Sequence, residues 1–238
     1  MPDVQQTTIN NSTIIFDAQI FAAPDEAIFD SRYWQTRDQI SGTATGRGTT
    51  YFFWHNKQEL VLRHYRRGGL IGKVISDQYL FKRLQETRAW REFHLLAHMQ
   101  KLALPAPAPA AAKVTRHGPI YQADIIIKRI SDSQDVFTLL CRGALTEQAW
   151  QTIGACIRHF HNHDIYHHDL NIHNIMLDKQ KKVWLIDFDK CSVKPHESWK
   201  ATNLARLRRS LDKEYSKQPH FHFSEANWQT LLAGYAAI

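Results

Sequence analysis

The sequence predicts an α+β fold in which strands dominate the first part of the chain and helices the second. Residues 41–54, 59–65 and 123–130 are rich in β-branched, aromatic and other apolar residues, which is typical of extended segments. After residue 130, most apolar residues recur at helical spacing. A chain of 238 residues can form one compact domain or two small lobes. We therefore expect two lobes, residues 1–130 and 131–238.

The expected elements of the first lobe follow one another in a simple order. Residues 1–30 form an irregular or strand-containing lead, and residues 31–39 a short capped helix. Extended segments around a glycine-bearing turn come next, and then the strand 59–65. The helix 84–101 ends before the prolines at 105, 107 and 109, because each proline removes a backbone donor and restricts the residue before it. The buried strand 123–130 completes this lobe.

The second lobe is expected to be helical apart from one hairpin. Residues 146–163 form a helix with one apolar face, and residues 198–213 and 224–236 form two closing helices. The hairpin pairs residues 175–177 with 183–186 around a polar turn.

Composition narrows the compartment and the partners. Three cysteines without a C-x-x-C pair suggest a reducing compartment, and the polar N-terminus and the absence of a long apolar run favour a cytoplasmic protein. The net charge of +7 favours an anionic partner, which leaves nucleic acid, an anionic lipid surface and a phosphorylated substrate open. Close histidine runs such as His159, His161 and His163 do not share a helix face, so no metal site is expected there.

The most informative segment is HHDLNIHN at residues 167–174, followed by IDFD at residues 186–189. Together they match the protein-kinase pattern H-x-D-L-x-x-x-N and then D-F-x after an apolar strand. In that chemistry one Asp lies beside the attacking hydroxyl, while Asn and a second Asp hold Mg²⁺ on the ATP phosphates. We therefore predict Asp169 as the catalytic base, and Asn174 and Asp187 as Mg²⁺ ligands that also bind the nucleotide.

Two further positions in this segment carry more modest expectations. His167 is expected to be a buried scaffold that fixes the loop, without a role in proton transfer. Asp189 replaces the glycine of D-F-G, and either a second metal ligand or a cap of the next turn would explain it. An acidic residue at this position occurs in small-molecule kinases such as choline and aminoglycoside kinases.

The first lobe should supply the nucleotide clamp. Gly46 and Gly48, with Gly42, occupy the place of a glycine-rich loop, where backbone amides approach phosphate, although a plain hairpin turn would also explain them. Arg63 stands where the V-A-I-K pattern has Lys, and it can bridge a phosphate and a carboxylate.

The carboxylate that pairs with Arg63 is expected on the following helix. Glu92 is the favoured partner and Glu86 the second choice, since the two do not share a helix face. A solvated surface charge is the alternative for both Arg63 and Glu92.

The segment after Asp187 bears on the substrate. It contains no A-P-E motif, and it is too short for an activation segment with several further helices. A protein substrate is therefore disfavoured.

The sequence resembles the bacterial 3-deoxy-D-manno-octulosonic acid (Kdo) kinase family over nearly its whole length. The segments that carry the resemblance are VLRHYRRGG at 61–69, REFHLL at 91–96, YHHDLN at 166–171, IDFD at 186–189 and NLARLRRSL at 203–211. The resemblance implies a small two-lobed protein-kinase-like fold. It also implies transfer of the ATP γ-phosphate to the 4-hydroxyl of Kdo on lipid A or its tetraacyl precursor.

The resemblance also implies which anionic partner the basic residues attract. It implies a protein at the cytoplasmic face of the inner membrane of Gram-negative bacteria, held peripherally by electrostatic attraction, with no nucleic-acid partner. A groove lined by basic residues would attract the Kdo carboxylate and the lipid phosphates. The candidates are Arg66, Arg67 and Lys73, or Arg206, Arg208 and Arg209, and the sequence leaves open which of them contact substrate.

Two other functions remain open on the sequence. An atypical protein kinase resembling the RIO group also lacks the late activation segment. The other is a non-catalytic binding module, either a pseudokinase or a basic protein that recognises an anionic glycolipid or nucleic acid, and Arg63 in place of Lys keeps it open.

Overall fold

The computed structural model describes residues 2–45, 48–67 and 77–237. The chain divides into two compact units, of which the first comprises residues 1–101 and 107–129 and the second comprises residues 102–106 and 130–238. The short segment 102–106 lies with the second unit, where the carbonyl of Pro105 accepts a hydrogen bond from the amide of Leu185 at 3.0 Å.

The first unit is built on an antiparallel sheet with the strand order β1-β2-β7-β8-β5-β4-β3, in which β6 also pairs with β8. Its strands are β1 Val4–Ile9, β2 Ser12–Asp17, β3 Ile40–Thr45, β4 Thr49–His55, β5 Gln58–His64, β6 Tyr79–Leu80, β7 Pro109–His117 and β8 Ile120–Lys128. Its helices are α1 Ser31–Gln35 and α2 Arg88–Lys101. The expected helix 84–101 begins with a separate 3₁₀ turn at Leu84–Glu86, and its α-helical part starts at Arg88.

The alternation of side chains along β5 separates two faces of the sheet. Leu60 and Leu62 lie in a buried cluster with Trp34 and Phe53. This cluster lies on the face of the sheet that the N-terminal segment covers. Arg63 points to the opposite face, where α2 packs. Strand β5 therefore carries a charged side chain on the face that α2 covers.

The second unit is mostly helical. Its helices are α3 Val136–Arg142, α4 Glu147–Asn162, α5 Lys200–Lys217 and α6 Glu225–Ala236. Its strands are β9 Ser133–Asp135, β10 Ile165–Tyr166, β11 Ile175–Asp178, β12 Val183–Leu185 and β13 Ser192–Val193. They form one sheet in the order β12-β11-β9 and one two-stranded sheet, β10-β13. The expected combination of a strand-rich part and a mostly helical part is confirmed.

Local sequence signals account for where α4 and α6 begin. Thr146 caps α4 by accepting a hydrogen bond from the amide of Ala149, and Ser224 forms a capping box with Asn227 at the start of α6. Among the described residues, no helix combines the length and the apolar character needed to cross a lipid bilayer.

Candidate active site

The loop at residues 167–174 is closed on its own backbone. The carbonyl of Asp169 accepts hydrogen bonds from the side-chain amides of Asn171 at 3.1 Å and Asn174 at 2.9 Å. Asn171 also accepts a bond from the amide of His173 at 2.9 Å, which caps the 3₁₀ turn Ile172–Asn174. These bonds fix the carbonyl next to the Asp169 side chain, which is about half exposed. The polar residues of the motif therefore shape the backbone of the loop.

The hairpin of β11 and β12 brings Asn174 and Asp187 to one end. Ile175 pairs with Leu185, and the ladder continues one residue further, because the amide of Ile186 donates to the carbonyl of Asn174 at 3.0 Å. Asp187 is the next residue along the chain. Two positions that are 13 residues apart thus become neighbours through antiparallel pairing alone.

Asp187 has an unusual backbone conformation with φ +63°, in the left-handed region. Asp occupies this region at lower cost than most residues, and such positions are concentrated at functional sites. The next side chain, Phe188, is 1% exposed and packs against the rings of His167 and Phe160. Phe188 therefore anchors the segment in the core, while Asp187 and Asp189 on either side of it remain partly exposed.

His167 is a structural residue of the loop. Its side chain is buried, and this burial lowers its pKa, so that the ring is neutral near pH 7. Its Nε2 lies 2.9 Å from the carbonyl of Ile186 and must carry the proton, because a carbonyl can only accept. His167 thereby joins the start of the loop to the strand that precedes Asp187, which is the scaffold role expected from the sequence.

Helix α5 supports the loop along one face. Four side chains of α5 contact the loop. They are spaced at i, i+3, i+7 and i+11, which places them on one face of the helix, and they contact residues of the loop in the order of the chain. The contacts are Asn203 Nδ2 with the His167 carbonyl (2.7 Å), Arg206 Nη1 with Asp169 Oδ1 (3.3 Å), Ser210 Oγ with the Ile172 amide (3.2 Å) and Glu214 Oε1 with His173 Nε2 (3.5 Å). We name these four side chains the α5 stripe. The periodicity of the helix was expected, but its role behind the loop was not.

A second histidine connects α5 to its neighbouring helices. His161 Nε2 lies 3.1 Å from Asn203 Oδ1, and its Nδ1 lies 2.8 Å from the hydroxyl of Tyr235. Burial lowers the pKa of His161 to about 4, so the ring is neutral. Because the Asn203 nitrogen already donates to His167, its oxygen accepts from His161 Nε2, and Nδ1 accepts from Tyr235. This network links α4, α5 and α6 to the loop.

In the first unit, Arg63 and Glu92 form an ion pair. Arg63 Nη2 and Glu92 Oε1 are 2.5 Å apart, and the other carboxylate oxygen accepts from the hydroxyl of Tyr65 at 2.5 Å. Glu92 is 2% exposed, whereas a quarter of the Arg63 side chain remains accessible. Burial and the Glu92 charge raise the pKa of Tyr65 well above its ordinary value, so its hydroxyl stays a donor. The partner of Arg63 is therefore Glu92, and Glu86 instead pairs with Arg83.

The glycines of the expected phosphate loop are only partly described. Gly48 directly precedes β4, and a Cβ there would come within 2.8 Å of the Arg66 side chain. Glycine at this position lets Arg66 lie against the strand. Gly46 lies outside the described residues, as do Gly68, Gly69 and Lys73 of the basic segment.

The residues at the end of the hairpin suit Mg²⁺. The nitrogen of Asn174 is engaged with the Asp169 carbonyl, which leaves its oxygen for a cation, and Asp187 adds a carboxylate. Within the described ranges, no three His, Cys, Asp or Glu side chains lie close enough to form a metal cage. An amide oxygen with one carboxylate is the kind of sparse, hard-oxygen set that Mg²⁺ uses when waters and phosphates complete its shell.

The chain is similar to one family model and to several curated proteins. Residues 31–235 match the model of the lipopolysaccharide kinase (Kdo/WaaP) family. The chain is 42% identical over 232 residues to the 3-deoxy-D-manno-octulosonic acid kinase of Vibrio vulnificus (strain YJ016), with 98% of each chain covered. The corresponding kinase of Photobacterium profundum is 41% identical over 232 residues, again with 98% of each chain covered.

One further relative and one solved structure complete the comparison. The 3-deoxy-D-manno-octulosonic acid kinase of Haemophilus influenzae (strain 86-028NP) is 42% identical over 235 residues, covering 95% of this chain and 97% of the relative. Among solved structures, the Cydia pomonella granulovirus kinase PK-1 matches with a TM-score of 0.44 and 16% identity, over 74% of this chain and 60% of that one.

Proposed function

The chain belongs to the lipopolysaccharide kinase (Kdo/WaaP) family, and from this membership we propose that it is an ATP-dependent Kdo kinase. It transfers the γ-phosphate of ATP to the 4-hydroxyl of Kdo on a lipid A precursor, a step of lipopolysaccharide inner-core biosynthesis. The observation that carries the proposal is the identity of about 42% over nearly the full length of named Kdo kinases. The loop that holds Asp169 and Asn174, with Asp187 beside it, supports the reaction type.

In this proposal the second unit performs the proton transfer. Asp169 orients the 4-hydroxyl and accepts its proton as the oxygen attacks the γ-phosphorus of ATP, whose bond to the bridging oxygen breaks so that ADP leaves. The carboxylate is half exposed, so an acceptor can reach it, and its backbone carbonyl is fixed by two amide bonds. Phosphoryl transfer depends mainly on positioning and charge stabilisation, and the α5 stripe supplies the rigidity that positioning requires.

Nucleotide binding is assigned to two sets of residues. Asn174 and Asp187 would hold Mg²⁺, which neutralises negative charge on the ATP phosphates when it is bound. Arg63 is oriented by Glu92 and pairs with the phosphates, and Gly46 and Gly48 are the glycines proposed to let backbone amides bind them. Tyr65 keeps Glu92 in position by donating to its Oε2, while Arg63 binds its Oε1.

The family and the net charge support the proposed acceptor and its location. The acceptor is Kdo-lipid A or its tetraacyl precursor, in the cytoplasmic leaflet of the inner membrane of a Gram-negative bacterium. The net charge of +7 favours peripheral, electrostatic association with such an anionic surface. Binding to vesicles that contain anionic lipid should weaken as the salt concentration rises, because salt screens this attraction.

The test uses the full chain with Mg-ATP and a Kdo-lipid A precursor. ADP release is expected only when the sugar acceptor is present, and the phosphate should be found on the 4-position of Kdo. Acceptors with one and with two Kdo units would define which of them the enzyme accepts. EDTA should stop the reaction, and Mg²⁺ should restore it.

Two outcomes would favour the alternative functions. Phosphate on the protein itself or on an added protein, with none on the glycolipid, would support an atypical protein kinase. ATP binding without turnover would support a pseudokinase that binds an anionic glycolipid.

A further inference from the structure

Helix α5 carries three arginines close together, and the structure separates their roles. Arg208 is held by two carboxylates, since its Nε lies 2.8 Å from Asp212 and its Nη1 lies 2.6 Å from Glu225. Arg209 is exposed and lies off the α5 stripe. Arg206 belongs to the stripe and reaches the side chain of Asp169. Of the three, Arg206 is therefore the arginine beside the proposed catalytic carboxylate.

The contact between Arg206 and Asp169 leaves most of the guanidinium available. The contact joins Nη1 of Arg206 to Oδ1 of Asp169 at 3.3 Å. Among the described residues, the side chain of Arg206 makes no other hydrogen bond. The side chain is 42% exposed. Because a guanidinium has five N–H donors in a fixed fork, it can bind a second carboxylate bidentately without leaving its place.

Two other side chains of the α5 stripe bind the backbone of the loop, whereas Arg206 binds a side chain. Asn203 and Ser210 bond to the backbone of the loop, and Asn203 is 2% exposed. The contacts of Asn203 and Ser210 are therefore structural, since they hold the loop backbone in place. Arg206 instead presents a partly exposed cation where the acceptor hydroxyl has to approach Asp169.

The chemistry of Kdo supplies a matching anion. In this sugar acid the ring carbon that bears the carboxylate is separated by a single carbon from the one that bears the 4-hydroxyl. When the hydroxyl lies against Asp169, the carboxylate therefore lies close to any cation that adjoins Asp169. We propose that Arg206 binds this carboxylate and so selects an ulosonic acid over a neutral sugar, an inference that rests on the proposed Kdo kinase activity.

Binding of the acceptor then also affects Asp169. The carboxylate of the sugar competes with Asp169 for the guanidinium, because both anions face the same fork. A bound acid acceptor thus weakens the bond between Arg206 and the proposed base, whose oxygen becomes available to the hydroxyl. A neutral sugar would leave that ion pair in place.

The experiment compares two acceptors and three proteins. The acceptors are the Kdo-bearing lipid A precursor and the same glycolipid with the Kdo carboxylate converted to a primary amide. The proteins are the wild type, Arg206→Gln and the control Lys217→Gln, which removes one positive charge from an exposed position of the same helix. Steady-state kcat/KM is measured at saturating Mg-ATP, and thermal unfolding checks that each variant is folded.

The wild type should prefer the acid acceptor over the amide by about 30-fold, the size of a charge-assisted pair. Arg206→Gln should lose about 30-fold in kcat/KM on the acid acceptor and less than about 3-fold on the amide, while Lys217→Gln should match the wild type on both. Arg206→Lys should recover only part of the loss, because Lys keeps the charge without the fork.

Four other outcomes would contradict the proposed role of Arg206. Equal losses on both acceptors would mean that Arg206 acts only by positioning Asp169, and an unchanged Arg206→Gln would remove it from the site. Wild-type transfer that does not distinguish acid from amide would overturn the Arg206 proposal alone. A wild type that phosphorylates neither acceptor would overturn the proposed function and this inference with it.

Discussion

The side-chain amide of Asn203 donates a hydrogen bond to the main-chain carbonyl of His167 at 2.7 Å, and its oxygen is bound by His161. Asn203 is 2% exposed, so water cannot replace either bond. One residue of α5 therefore fixes the start of the loop that carries Asp169 and connects it to the core of the second unit.

Asn203→Ala should lower both stability and turnover. It leaves a buried carbonyl and a buried imidazole N–H without partners, which costs about 2 kcal/mol in the free energy of unfolding. A looser loop should lower kcat about tenfold, since small displacements of a catalytic group are costly. Urea unfolding and steady-state kinetics measure the two effects. Asn162→Ala, at an exposed helix end, is the control. An unchanged kcat in a destabilised Asn203→Ala variant would separate the loop from this bond.

Asp169→Asn should remove the activity and keep the fold. The substitution preserves size and hydrogen bonding at a half-exposed side chain but cannot accept the proton of the acceptor. General-base catalysis contributes about 10²–10⁴-fold, so kcat should fall by at least that order. ADP release with the Kdo acceptor measures it, and Asp132→Ala, at an exposed carboxylate, should retain full activity. Turnover by Asp169→Asn close to that of the wild type would rule out Asp169 as the base.

Arg63→Met should be more harmful than Glu92→Gln. Removing the arginine breaks an ion pair with a carboxylate that is 2% exposed, which typically costs about 3 kcal/mol or more. Glu92→Gln removes the charge and can still accept from Tyr65, so it should cost less. Both variants should raise the KM for ATP, and Arg63→Lys should restore part of the ATP affinity. Urea unfolding measures the stability of the three variants, and ATP titration of the reaction rate measures their KM. The prediction fails if the KM for ATP is unchanged in all three.

The parts of the site that were predictable from sequence are those with local patterns. The hairpin 175–186 combines two apolar strands with a polar turn, and this pattern alone brings Asn174 next to Asp187. The choice of Glu92 over Glu86 depended on helical spacing, and the observed ion pair with Arg63 agrees with it. The roles of these residues toward ATP and Mg²⁺ stay predictions.

The parts that were not predictable depend on distant contacts or weak propensities. Asn203 and His167 are 36 residues apart, so no periodicity reports their bond. Strand β7 starts at Pro109 and continues through Ala110, Ala111 and Ala112, residues with low strand propensity, and the sequence did not predict a strand there. It is a strand because β2 and β8 pair with it on both sides. Tertiary pairing overrides the local preference there.

Gly154→Ala should destabilise the second unit. Helices α4 and α6 approach so closely that a Cβ at Gly154 would overlap the backbone carbonyl of Leu231, and a Cβ at Gly234 would overlap that of Gln151. The backbones would have to separate, at a cost of about 1–3 kcal/mol in the free energy of unfolding. Gly143→Ala is the matched control, because nothing lies near its missing Cβ. If both substitutions shift the unfolding midpoint equally, helix contact is not the cause.

His161 should make the protein less stable as the pH falls below about 6.5. Its pKa is lowered from 6.5 to about 4 by burial, so the unfolded chain binds a proton more readily than the folded one between these values. Since stability rises with pH wherever the unfolded state binds more protons, it must fall as the pH drops through this window. One group contributes at most about 1.4 kcal/mol per pH unit, or about 3 kcal/mol over the whole interval.

The variant His161→Gln separates this contribution from that of other groups. Glutamine has no titrating ring, so the variant should be less stable than the wild type near pH 7, and the difference should shrink as the pH approaches 4. Urea unfolding at several pH values between 4 and 7 measures both curves. His220→Gln, which replaces an exposed histidine, should follow the wild-type slope. Parallel curves for wild type and His161→Gln would mean that the histidine is not kept neutral by its burial against Asn203 and Tyr235.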